Sequence, residues 1–164
     1  MSVQQIISIL EKLEKMHKSL LELSLKKTEL VKKGDMEELD QMLKNEQSHV
    51  AAIGTFEQQR QALVRDYLNA KGIAHADTPS VLDVIEAAET NEERNQLTDV
   101  RNRLMLVIDD LKKQNDLNQK LVFQSLQFVN MTLDMLRPQP TQINYSGKEV
   151  RGQNLTRTNF DSQA

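Results

Sequence analysis

Apolar residues recur at helical spacing through most of the chain. Val3, Ile6, Leu10, Leu13 and Leu20 fall on one side of a helix over 3–33, with His17 and Ser24 filling the next positions of the same stripe. Gly34-Asp35 then supplies a stop and a start in two residues. Gly34 suits the left-handed conformation after a last helical turn. Asp35 with Glu38 three positions later forms a capping box for the next helix. So short a joint predicts an antiparallel hairpin.

The second helix is predicted over 36–71, with the stripe Met36, Leu39, Leu43, Val50, Ile53, Val64 and Tyr67. Glu46, Glu57 and Arg60 fall on the same line, so this seam is not purely apolar. Gly72 ends it. Thr78-Pro79 reads as a cap with proline at the first helical position, opening a short helix over 79–88. Thr90 and Glu93 form another capping box and open the last helix, 91–137, which Pro138 stops. Residues 138–164 have no periodicity and are rich in Asn, Gln, Thr, Ser and Gly, the pattern of a disordered tail. The fold expected is all-α: an elongated antiparallel bundle of three long helices plus one short helix over 1–137, with that tail at its end.

The last helix carries more apolar surface than one seam requires. Leu97, Val100, Leu104, Ile108, Leu111, Val122, Leu126, Val129, Leu133 and Leu136 share one stripe, the natural packing face against the hairpin. Beyond Leu117 a second set appears, Leu117, Leu121, Phe128, Met131 and Met135, turned by roughly 100° to 180° from the first. Phe123 lies on yet another side. A helix apolar around more than half its girth must be buried on more than one side. This allows two readings. Either the first two helices flank this segment and cover both stripes, or the surplus is an intermolecular surface. The residues of such a surface are Leu117, Leu121, Val122, Phe123, Leu126, Phe128, Val129, Met131, Leu133 and Met135. The flexible side chains of Met131 and Met135 suit a surface that adapts to its guest.

Asn115 and Asn118 interrupt the packing stripe. They read either as a register-fixing polar layer or as a polar notch offered to a partner. Glu57 and Arg60, three apart, form an intrahelical pair.

Composition narrows the function classes. Of 164 residues 27% are charged, the net charge is −3, and the short basic pairs read as solvated helix faces, so nucleic acid is not an expected partner. The absence of cysteine excludes disulfides, thiolate metal sites and cysteine nucleophiles, and fits a reducing cytosol. Residues 1–5 carry no basic start and Glu11 interrupts the apolar stretch, so a signal peptide is not expected. The longest apolar runs, Ile6 to Leu10 and Leu104 to Ile108, are far short of a membrane span. The expectation is a soluble, cytoplasmic protein with no membrane insertion.

Two Glu-x-x-His patterns, Glu14 to His17 and Glu46 to His49, match half of a di-iron bundle motif. The remaining carboxylates would have to be Asp109 or Asp110, and the short third helix does not reach that level. His75 sits beside Asp77, Thr78 and Ser80, yet nothing there supplies an oxyanion hole or a strand-turn-helix frame. No enzyme activity, metal or cofactor is expected. The residues point to a protein that holds another protein, either a binding partner or, as a self-assembling coiled-coil scaffold or homodimer, a copy of itself.

Some local patterns bear on that choice. They are Val31-Lys32-Lys33-Gly34-Asp35-Met36-Glu37-Glu38-Leu39 at the joint, Glu57-x-x-Arg60, Asn115-x-x-Asn118-x-x-Leu121, and Tyr145-Ser146-Gly147 in the tail. In these the chain resembles the FlgN-type flagellar export chaperones. The resemblance implies a cytosolic secretion chaperone that binds the C-terminal region of hook-associated proteins, which join flagellar hook to filament. It further implies that the chaperone prevents their premature assembly and delivers them to the type III export apparatus. The client surface would then map to the C-terminal half of the last helix, with the tail as a further candidate.

Overall fold

In a computed structural model, which describes residues 2–136, four helices succeed one another: α1 (Val3–Lys33), α2 (Met36–Ala70), α3 (Val81–Ala87) and α4 (Asn91–Leu136). The joint between α1 and α2 forms as its residues dictate. Gly34 takes φ 71°, its N–H donates to the Leu30 carbonyl, and the Asp35 carboxylate accepts from the Glu38 N–H at 3.1 Å. The return half of the expected capping box does not form, because the Asp35 N–H donates to the Leu30 carbonyl at 3.3 Å. At the start of α4 the Glu93 N–H donates to Thr90 Oγ1 at 3.1 Å and the Thr90 N–H donates back to the Glu93 carboxylate at 3.4 Å.

Helix α3 is shorter than the 79–88 segment expected. Ser80, not Thr78, is its cap, because the Asp83 carboxylate accepts from the Ser80 N–H at 2.7 Å and closes a capping box there. Pro79 therefore precedes the helix. In α2 the last helical residue is Ala70 and Lys71 is the cap. Arg137 and the tail 138–164 lie outside the described residues.

The core is built around α1, which packs against α2 on one flank and α4 on the other, while α3 touches α2 and α4. Ile6, Leu10 and Leu13 of α1 meet Val64 and Leu68 of α2, Val84 of α3, and Leu97, Val100 and Leu104 of α4 in one buried cluster. At about 1.5–3 kcal/mol per fully buried aliphatic side chain, this end of the bundle holds most of the stabilisation. No Cα of α2 comes within 8 Å of one in α4. The two helices lie on either side of α1 with their backbones apart.

Polar pairs between α1 and α4 fix their register and show that they run parallel. Gln4 donates to Gln96 at 3.2 Å, Arg103 lies 3.6 Å from Glu14, and Ser24 donates to Asn115 at 3.0 Å. Partners are thus separated by 89 to 92 residues along the chain. Glu14 is buried, and Lys18 approaches it at 2.9 Å as well as Arg103.

Candidate functional site: an open groove and the free end of α4

Adding that offset to Lys33, the last residue of α1, places the end of α1 opposite residues 122–125 of α4. The last 11 to 14 residues of α4 therefore run past the end of their packing partner, an overhang of about 17–21 Å. The stripe expected to pack throughout its length does so only in part. Leu97, Val100, Leu104 and Leu111 are buried, Val122 is half-buried, and Leu126, Leu133 and Leu136 are exposed. The pattern continues beyond the point where α1 stops, so the side chains lose their cover although the periodicity persists.

The transition falls at a polar layer. Asn118, buried, donates from Nδ2 to the Ser24 carbonyl at 2.8 Å and to Ser24 Oγ at 3.0 Å, and its Oδ1 accepts from Thr28 Oγ1. Gln114 donates to the same Thr28 hydroxyl. Asn115 is exposed but accepts from Ser24. Both asparagines thus take part in holding α1 against α4.

Beside this layer α1, α2 and α4 enclose a groove of about 710 Å³. Leu20 and Val50 form its apolar side with Val122, Phe123 and Leu126. Asn115, Asn118, Gln119 and the Lys27–Glu46 ion pair, 3.2 Å apart, form the polar one. Of the residues singled out from the sequence, the structure brings Val122, Phe123 (61% exposed) and Leu126 (56% exposed) together in this groove. Leu133 lies farther along the same face of the overhang and is exposed. Leu117, Met131 and Met135 are exposed on the other face, Met135 to 78%, and Leu121 is half-buried. The side chains of Phe128 and Val129 are not among those described.

The sequence pattern does not single out Leu20 and Val50 for this surface. Val50 belongs to the apolar stripe of α2 and reads as a packing residue, but α2 stands away from α4 here and leaves it 57% exposed. Glu46 and Arg60, on the same stripe, are the signal that this seam is open.

The histidines are engaged separately. His17 Nδ1 lies 2.7 Å from the Leu13 carbonyl, and His49 Nδ1 lies 2.8 Å from the Asn45 carbonyl with Nε2 2.8 Å from Ser19 Oγ. Each Nδ1 is spent on the carbonyl one turn back. Among the described residues no group of three or more His, Asp or Glu side chains could hold a metal ion, and no helix is long and apolar enough to cross a membrane. The Glu57–Arg60 pair forms, with Arg60 Nε donating to Glu57 Oε2 at 2.8 Å. The guanidinium holds the Glu57 carboxyl below the ordinary glutamate range, against the opposing effect of partial burial. What this surface offers chemically is apolar area flanked by hydrogen-bonding groups, suited to gripping a polypeptide.

Comparison with known proteins agrees with that chemistry. A protein of Bacillus subtilis (strain 168) that carries the name uncharacterized protein YvyG is 33% identical over 168 residues, covering the whole of both chains. No solved structure matches. The model of the FlgN protein family matches residues 1–150, the helical body and the first part of the tail. By that match the chain belongs to the FlgN family, a family of flagellar export chaperones.

Proposed function

We propose that the protein binds the C-terminal region of hook-associated flagellar proteins on the distal part of α4, in the cytosol. It keeps them from assembling early and hands them to the type III export apparatus. The observation that carries this reading is the overhang. The packing face of α4 continues past the end of α1 through Leu126, Leu133 and Leu136, all exposed. Each such side chain returns about 1.5–3 kcal/mol on full burial. An assembly-prone client segment that covers this face is withheld from its own kind while it is bound.

Leu126→Asp tests the reading. The side chain is exposed, so the variant folds with wild-type helicity by circular dichroism. Pull-down of the hook-associated client is expected to be lost. Unchanged pull-down discards the surface. The exposed face would equally suit a second copy of the chain, as a scaffold would use it. A tight dimer in light scattering, dissociated by Leu126→Asp, would favour that alternative.

A further inference from the structure

We infer that the client does not stop at the overhang: a helical segment of it lies in the furrow between α2 and α4, end to end with α3. The inference rests on the reading of the protein as a client-binding chaperone and specifies where and in what form the client sits.

Helix α3 shows what the furrow accepts. Its seven residues wedge between α2 and α4, burying Val81 and Val84 in the gap those helices leave over α1. Beyond Val81 the gap stays open. A groove of about 410 Å³ between Ile53, Arg60, Leu104 and Ile108 has Val81 at its end, and the 710 Å³ groove continues it toward the overhang. Along α2 the lining residues of the two grooves are Glu46, Val50, Ile53, Glu57 and Arg60, an unbroken run of three- and four-residue steps. They therefore form one furrow along one face. From Arg101 to Leu126 of α4 it is about 35 Å long, room for roughly six turns of helix.

The walls decide the form of the occupant. Val50, Ile53, Met105 and Ile108 are apolar, and the charged groups along the middle of the furrow are matched, Lys27 with Glu46 and Arg60 with Glu57, while Arg101 adds a cation at the Val81 end. An extended peptide would set its backbone N–H and C=O groups against walls with few partners for them. A helix bonds its own backbone and presents an apolar stripe. With both pairs internally neutralised, the furrow asks for no charge on that stripe except at its Val81 end, where Arg101 favours an acidic residue. It asks for a neutral hydrogen-bonding residue level with Asn115 and Gln119.

Two other occupants fit less well. In a second copy α1 is already flanked on both sides, and the overhang that remains, 11 to 14 residues or about 17–21 Å, would fill only about half of the furrow. The chain's own residues 137–164 begin beyond Leu136, past the far end of the furrow. They contain Pro138 and Pro140, and their few apolar residues lack helical spacing.

The test uses the full chain and its purified hook-associated client. Val50 and Met105 are both more than half exposed, so Val50→Asp and Met105→Asp leave folding unchanged. Each is expected to weaken client binding about 10-fold or more by calorimetric titration, whereas Leu25→Asp, equally exposed on the outer side of α1, has no effect. Because the chain has no cysteine, Met105→Cys adds a unique label site, expected to be protected from alkylation when the client is bound. Wild-type binding by Val50→Asp and Met105→Asp, with binding lost in Leu126→Asp, confines the client to the overhang. That result overturns the inference while the proposed function stands. Failure of the wild-type protein to bind the client removes both. An apo dimer converted to monomer by either furrow variant assigns the furrow to a second copy and also overturns the inference.

Discussion

Replacing Asn118 by alanine removes the centre of the polar layer between α1 and α4. Two hydrogen bonds from Nδ2 to Ser24 disappear, as do the one Oδ1 accepts from Gln114 at 3.4 Å and its share of the single Thr28 hydroxyl proton, with about 0.5–1.5 kcal/mol net for each full bond. The neighbours are not stranded. Thr28 Oγ1 keeps the Ser24 carbonyl at 3.1 Å and Ser24 Oγ keeps Asn115, so no large penalty for an orphaned group is added. The expected loss is about 2–3 kcal/mol, a drop of roughly 5–10 °C in the melting midpoint for a chain of this size. Urea unfolding followed by far-ultraviolet circular dichroism measures it. Asn118→Leu separates strength from register. It fills the site with apolar bulk and costs less, about 0–1 kcal/mol, but no longer ties α4 to one setting against α1. A cysteine pair at Gln4 and Gln96, whose side chains meet in the native register, reports slippage as reduced disulfide yield. An Asn118→Ala variant within about 0.5 kcal/mol of wild type would refute the energetic reasoning. Full disulfide yield in Asn118→Leu would refute the register role.

Leu10→Ala and Leu126→Ala make the same chemical change at the two ends of the apolar gradient. The first, with Leu10 fully buried, is expected to cost about 2–5 kcal/mol, and the second less than about 0.5 kcal/mol, both read by urea unfolding. Gly34→Ala meets no steric neighbour but keeps φ at 71°, so its cost of about 1–2 kcal/mol comes from the backbone alone and appears as a lower thermal midpoint. Glu57→Gln tests the pair with Arg60. Because the folded protein holds Glu57 below its ordinary range, the contribution is present above the unfolded pKa and lost as pH falls through the folded one. The wild-type advantage, about 0.5 kcal/mol at neutral pH, should close in acid in a pH series of unfolding curves.

Local signals fix most of the architecture. The Gly34-Asp35 turn and the Thr90–Glu93 box are written in neighbouring residues and form there, although Asp35 caps without the return bond from Glu38. The start of α3 is misplaced by the sequence pattern because two caps compete within three residues, and Asp83 decides for Ser80. The excess of apolar residues at the end of α4 is legible, but which of its stripes is left uncovered is not. Periodicity gives the face of a helix, not the point where its neighbour ends. That point depends on how α1 is set against α4, through pairs such as Glu14–Arg103 and Ser24–Asn115 that lie about ninety residues apart. Val50 escapes the sequence pattern for a related reason: its stripe faces a gap, since the backbones of α2 and α4 stand apart on the two flanks of α1.

The parallel pairing of α1 with α4 also sets the order in which the molecule can be made. The turn at Gly34 lets the first two helices find each other early. The other flank of α1, with Ile6, Leu10 and Leu13, waits for residues some ninety positions downstream. At the usual 5–20 residues per second of synthesis, that flank stays bare for roughly 5–20 s on the ribosome. Until α4 emerges, a nascent chain of this protein presents a second apolar face, of the same kind as the one left bare at the far end of the finished α4.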